Sequence, residues 1–373
     1  MPPATEAPSH PSPLSAALHR ALDAAGGWLP FDRFMALALY APEGGYYAGS
    51  LPKFGAMPGS GSDFVTAPEL SPLFGRALAV QVAQALLATG TTDIWEFGAG
   101  TGALARQVLD ALAADERHDR VRYHIVELSG SLRERQQGTL AGHAGRVVWE
   151  SAWPDRIEGV VLGNEVLDAM PVQLLHRVRG AWHERGVVAD GDAWAWADRP
   201  TPLRPPVEPE GPQDYLTEVH PQAEAFVKSL SEHLVRGAAF FIDYGFPESE
   251  YYHPQRHMGT LMCHQGHRAD GNPLVEVGAK DITAHVNFTG IALAAQDAGQ
   301  QVLGYASQAR FLINCGLVDL AAAASVTERA QAMKLLHEHE MGELFKVLAF
   351  APEASAAGWE PLGFAQGDRV HTL

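Results

Sequence analysis

Apolar residues recur at helical spacing over residues 14–25 and 31–39, interrupted by Gly26-Gly27 and Pro30, which predicts two N-terminal helices. A Gly/Pro/Ser-rich loop over 46–62 follows, then an alanine-rich helical stretch over 73–87 that delivers the chain to a strand at Ile94. From there the period switches back and forth. Helices are expected at 103–113 and 131–140, between strands at 123–128, 146–149 and a continuous apolar run at 159–164. Such alternation predicts a parallel sheet with helices on both faces, and a run without alternation predicts a strand buried on both sides. The alternation then stops. Residues 172–196 read as short extended pieces with turns at Arg179-Gly180 and Asp190-Gly191-Asp192, a β insertion closed by a proline-rich connection over 200–212. A helix at 222–235 and a strand at 238–244 resume the pattern. A polar loop over 247–279 precedes a helix expected at 281–298, capped by Asp281 and ended by Gly299, then a helix at 308–313 and a last strand at 344–350.

The chemistry concentrates where the first strand ends. Trp95-Glu96-Phe97-Gly98-Ala99-Gly100-Thr101-Gly102 places glycines at alternate positions between a strand and a helix. Such a loop lets a ligand approach the backbone closely and offers it helix N–H groups. A dinucleotide site usually reads G-x-G-x-x-G; here the spacing is G-x-G-x-G, with Glu96 two residues before the first glycine. A carboxylate there disfavours a pyrophosphate and favours the ammonium and sulfonium of S-adenosylmethionine. Glu127, ending the next strand, can accept from both ribose hydroxyls, a device that NAD sites share. Asn164, Glu165 and Asp168 lie past the carboxyl end of a central strand, where ligands of open α/β sheets bind. If that segment turns helically, the two carboxylates point one way and can hold a guanidinium, with one nitrogen left for a methyl group. The other reading makes Asp168 a helix cap and Glu165 a solvated residue. His285 and Asn287 are candidates for lining the acceptor channel, although His285 can equally make a helix contact with Asp281. Tyr46, Tyr47 and Phe64 either cover an adenosine or pack on the N-terminal helices.

Composition narrows the class. The chain has 373 residues, 46% of them hydrophobic, with a net charge of −17. Clustered Lys and Arg are absent, which argues against a nucleic-acid substrate, and no apolar run is long enough to span a bilayer. Two isolated cysteines give neither a disulfide framework nor a metal-ligand spacing, so no metal is expected and a cytoplasmic location is.

Together these blocks resemble the MidA family, bacterial relatives of a mitochondrial complex I assembly factor with S-adenosylmethionine-dependent protein arginine methyltransferase activity. The resemblance is carried by Leu39-Tyr40, Gly45-Tyr46-Tyr47, residues 63–72, 96–104 and 164–172, Asp243-Tyr244-Gly245, Gly259-Thr260-Leu261 and residues 281–289. It departs at Gln265-Gly266, before His267, where an aromatic and a basic residue are expected. The resemblance implies an α/β class I methyltransferase fold. Residues 1–13 would be a disordered tail and 14–90 a helical region with a cofactor-covering segment. Residues 91–171 and 214–373 would form the two parts of the core, around an insertion and linker at 172–213. It further implies that the glycine loop and Glu127 bind S-adenosyl-L-methionine under the 63–69 segment; with the reading of the residues above, the cofactor would be held by Thr66, Glu96, Gly98, Gly100, Gly102, Glu127, Leu128 and Asn164, and the catalytic candidates are Glu165, Asp168 and His285. The implied partner is a protein substrate such as an NADH dehydrogenase subunit, and a homodimer is open. Two other readings stand beside it: an adenosylmethionine-binding assembly chaperone with little turnover, and an NAD-dependent oxidoreductase.

Overall fold

The computed structural model describes residues 12–48, 66–266 and 268–373. The expectations for Phe64, His267, most of the tail, and most of the 46–62 loop lie outside them. Seven strands carry the main sheet: β1 (Asp93–Phe97), β2 (Arg122–Val126), β3 (Val147–Glu150), β4 (Ile157–Asn164), β5 (Leu234–Phe246), β6 (Gln300–Ser307) and β7 (Phe345–Pro352). Their order is β6-β7-β5-β4-β1-β2-β3, and a short eighth strand, Val286–Asn287, pairs with the end of β5. Neighbours run parallel from β3 to β5, while β7 is antiparallel to both β5 and β6. The chain leaves β1 toward β2 on one side and returns through β4 on the other. A crevice therefore opens at the carboxyl ends of β1 and β4.

Local sequence accounts for these elements. β4 and β5 are buried along almost their whole length, as their apolar runs require of strands covered on both faces. Helices Pro72–Thr89 and Ala103–Leu112 cover one face. Helices Pro221–His233 and Phe288–Asp297 cover the other. Gly90, left-handed at φ 63°, ends the first of these.

A second core stands beside the sheet. Strands Gln173–Val178, Ala181–Asp190, Ala193–Pro200 and Tyr215–Val219 join Leu29–Pro30 in a five-stranded antiparallel sheet. Arg179 and Gly180, both at positive φ, make the expected tight hairpin. Helices Pro13–Ala24 and Phe31–Tyr40 pack Leu18, Phe31, Phe34 and Leu39 with Leu174 and Val187 of this sheet and Ile282 of a smaller one. That smaller sheet corrects the sequence reading. Residues 281–287 are not helical: Asp281–Thr283 pairs with Met262–Gln265, which also pairs with Arg268–Asp270. The helix begins only at Phe288, and its cap is the Asn287 side chain, which accepts from the Gly290 N–H at 3.2 Å. Two further strands, Tyr215–Val219 and β6, were not read from the sequence.

Glu218 fastens the two cores together. Its buried carboxylate accepts from Thr260 N at 2.8 Å, Leu261 N at 3.0 Å, the Tyr251 hydroxyl at 3.0 Å and the Thr260 hydroxyl at 3.1 Å. The Thr260 hydroxyl in turn accepts from His285 N at 3.1 Å. Glu218→Ala strands these buried donors, and a loss of about 3 kcal/mol in unfolding free energy is expected by denaturant titration. Glu218→Gln, which keeps the acceptor oxygen, should lose less.

Candidate active site

The crevice is a cavity of about 810 Å³. Its first half is built on the loop after β1. Gly98, Gly100 and Gly102 all have positive φ, the conformations for which glycine was expected. Gly98 and Gly100 line the cavity; Gly102 does not, and instead starts helix Ala103–Leu112. Glu96 lines the cavity while buried, and accepts from the Tyr123 hydroxyl at 2.9 Å. Burial pushes its carboxyl up to about 8, against the pull of that hydrogen bond. Glu127 stands just beyond β2. Its oxygens accept from Ser129 N at 2.8 Å and the Gln136 amide at 3.0 Å, which fixes the carboxylate while leaving lone pairs for further donors. Thr66 and Leu128 also line this half, and the Glu69 carboxylate accepts from the Thr101 hydroxyl, tying the segment before helix Pro72–Thr89 to the glycine loop.

The other half is built on the turn after β4. Glu165 and Asp168 both line it, but no helix brings them there. Glu165 adopts the left-handed conformation at φ 54°, and residues 166–170 form a turn. The turn is held by Asp243. One of its carboxylate oxygens accepts from Val166 N at 3.1 Å, Leu167 N at 2.9 Å and Asp168 N at 3.3 Å. Tyr244 donates to Asp168 Oδ2 at 2.6 Å, whereas the buried Asp168 Oδ1 has no partner. The Asn164 amide donates to Glu165 Oε1 at 3.0 Å; its own Oδ1 is buried in the cavity wall without a partner. Burial pushes Glu165 up to about 8, with Asp168 adding repulsion, and burial also pushes Asp168 up to about 6.

His285 is not among the described residues of the cavity wall. Its ring packs against Tyr244 and Phe246, each with centroids 5.2 Å away, and burial pushes it down to about 4, so it is neutral. Asn287 is occupied by its capping bond and by donation to Glu248 at 3.1 Å. Sequence reasoning missed Asp281, taken for a helix cap, and Tyr40; the structure puts both in the wall beside Tyr47. Tyr46 is buried against Tyr47, edge to face, in the second core. The signal for Tyr40 and Asp281 was their place in the quoted motifs, but nothing local said that they face one cavity. No group of three or more metal-ligating side chains occurs among the described residues.

Sheet order, glycine loop and the acids at the β1, β2 and β4 ends define a class I methyltransferase. The chain belongs to the family assigned as S-adenosyl-L-methionine-dependent methyltransferases, whose model matches residues 77–306. Mitochondrial proteins named protein arginine methyltransferase NDUFAF7, from human and mouse, are each 27% identical to it, over 89% of this chain and 82% and 83% of theirs. A protein of Burkholderia thailandensis crystallised bound to S-adenosyl-homocysteine is 49% identical, with a TM-score of 0.91 over 99% of this chain and 100% of that one. The choice between cofactors is thereby settled for S-adenosyl-L-methionine over NAD.

The residues fit that cofactor. A glycine-lined loop, a fixed carboxylate after β2, a second carboxylate under the loop and an unpartnered Asn164 oxygen suit a cationic ligand with hydroxyl and amine donors, and no phosphate. Gly98 tolerates no side chain: at φ +69°, an added Cβ would lie 2.7 Å from Val166 Cγ2. Gly98→Ala should therefore weaken S-adenosylhomocysteine at least about tenfold, combining left-handed strain with displacement of the Val166 turn. Calorimetric titration of both proteins checks this.

Proposed function

We propose that this methyltransferase acts on arginine side chains of a protein, and that the acceptor guanidinium is held by Glu165 and Asp168. The observation that carries the reading is the charge of the wall. It contains Glu69, Glu96, Glu127, Glu165, Asp168 and Asp281, and among its described residues no Lys, Arg or His. A cavity so lined receives cations, and the unpartnered Asp168 Oδ1 lacks only a donor. The names of the NDUFAF7 relatives support the same acceptor. A subunit of a respiratory NADH dehydrogenase remains our proposed partner. We also retain a cytoplasmic setting, consistent with free, buried thiols at Cys263 and Cys315.

When bound, S-adenosylmethionine supplies a methyl group on a sulfonium, open to in-line displacement. The protein contributes alignment and a proton acceptor. Glu165 and Asp168 accept N–H bonds from two guanidinium nitrogens and fix the plane of the group, so that one nitrogen can be aimed at the methyl. As the N–C bond forms and the S–C bond breaks, that nitrogen becomes more acidic and its proton passes to a carboxylate. Glu165, which accepts from the guanidinium directly, is placed to take it.

Glu165→Gln should retain S-adenosylhomocysteine affinity and lose at least about a hundredfold in methyl transfer to protein arginine. Radiolabel transfer followed by amino-acid analysis reads the outcome, and normal turnover would discard the clamp. The pH dependence has a definite sign. In the free protein the raised values near 6 for Asp168 and 8 for Glu165 mean that these acids become charged as pH rises. A guanidinium needs them charged. Acceptor KM should therefore fall between pH 6 and pH 8, and binding in that window should release protons, detectable as a buffer-dependent binding enthalpy.

A further inference from the structure

Behind the cofactor half of the cavity lies a buried amide. Gln136, on helix Gly130–Thr139, is fully buried and is not among the described residues of the cavity wall. Its Nε2 donates to Glu127 Oε2 and to the Gly100 carbonyl, both at 3.0 Å, and its Oε1 accepts from the Trp149 indole N–H at 3.0 Å. The orientation of the amide is unambiguous. An indole only donates, while an ionised carboxylate and a peptide carbonyl only accept, so the oxygen faces Trp149 and the nitrogen faces Glu127 and Gly100. The helix itself lies directly on the glycine loop: a Cβ added to Gly102 would stand 3.3 Å from Leu140 Cδ1 and 3.5 Å from Gln136 Cα. Through Trp149, on the edge strand β3, the outer part of the sheet is thus joined to the loop and to the carboxylate of the cofactor half.

Packing alone does not call for a glutamine here. A leucine or methionine would fill the space without desolvating an amide. What the amide adds is direction. The Ser129 N–H holds Glu127 Oε1 at 2.8 Å and Gln136 holds Oε2, so a donor on each oxygen stops the carboxylate from turning. A carboxylate fixed in this way can accept from two neighbouring hydroxyls at once, whereas one free to turn loses entropy on meeting both. The other N–H of the amide holds the Gly100 carbonyl, at a residue with φ 52°, against the same helix, so loop and carboxylate keep one spacing. We propose that Gln136, oriented by Trp149, is a positioning residue that makes the cofactor pocket select a riboside with an intact 2′,3′-diol over its 2′-deoxy counterpart. It acts through Glu127 and does not touch the ligand. The proposal rests on Glu127 as the carboxylate that meets the ribose, and it holds whatever the methyl acceptor is.

The test titrates the full chain by calorimetry with S-adenosylhomocysteine and, separately, with its 2′-deoxyribose analogue. The wild type should bind the ribose compound at least about tenfold more tightly. Gln136→Leu should weaken the ribose compound about tenfold and the deoxy compound by less than about threefold, so that most of the preference is lost. Gln136→Met, which keeps the length of the side chain without its amide, should do the same. Trp149→Phe, which leaves the amide in place but frees it to turn, should reduce the preference about threefold. Glu127→Ala should abolish the preference, and adding Gln136→Leu to it should not change the ratio of the two affinities further. Gln136 variants that lose both compounds equally would make the amide a support of the fold alone and overturn the proposal, as would variants that bind both like wild type. If Glu127→Ala keeps the preference, the diol is read elsewhere; that result removes the ribose role of Glu127 and the proposal with it. A wild type that binds both compounds equally overturns the proposal as well.

Discussion

A single carboxylate oxygen organises this site. Asp243, near the end of β5, gathers the N–H groups of Val166, Leu167 and Asp168, so the chain leaving β4 turns instead of continuing as a strand. β4 and β5 are parallel neighbours, and the pairing of Asn164 with Ile242 places Asp243 at the level of the turn. The constraint reaches further than the turn. It keeps Glu165 in a left-handed conformation that costs a non-glycine residue on the order of 1 kcal/mol and persists only where the surroundings over-determine it. It also fixes Val166 against Gly98, so the glycine loop and the acid turn are packed on each other. Their relative placement is part of the folded core.

The second organising fact is that buried acids are supported by neutral donors. Tyr123 serves Glu96, Tyr244 serves Asp168 and Tyr47 serves Asp281. Burial pushes all three phenols well above their ordinary range, so each remains a donor. A lysine or arginine in these positions would compensate the carboxylates more strongly, but it would also occupy the place of a cationic ligand and repel it. Tyrosine hydrogen bonds hold the carboxylate geometry while leaving the charge available. The cost appears as the raised carboxyls of Glu96 and Glu165, which a positively charged ligand brings back down.

Much of this was legible in the sequence because much of it is local. The glycine loop, Glu127 and the acids after β4 each follow a strand whose apolar run is unmistakable, and a strand end in an alternating α/β chain is where ligands bind. What was illegible depends on partners far along the chain. Asp243 is more than seventy residues from the turn it holds, so the sequence offered a helical turn for Glu165 and Asp168 where the structure has a left-handed residue. Residues 281–287 carry helical spacing and a leading aspartate, and only pairing with Met262–Gln265, inside a stretch that reads as polar loop, makes them extended. That error made Asp281 a helix cap and kept it out of the site. Tyr40 was visible only as a motif residue, and Tyr47 as either a cover for the adenosine or a core residue, because their neighbours arrive from the β4 turn and the small sheet.

These misreadings share a cause that bears on how the enzyme is built. A parallel sheet with its helices can present a cofactor loop by itself, since the switch point depends on strand order alone. An acceptor half needs a wall facing that crevice, and here the wall belongs to another core. The N-terminal helices, the five-stranded insertion and the small sheet bury Leu18, Phe34, Leu174 and Ile282 together, and from that body Tyr40, Tyr47 and Asp281 reach the cavity. Glu218 and Thr260 tie the same body to Tyr251 and to the backbone of His285. The second core thus supplies the wall that faces the glycine loop across the cavity.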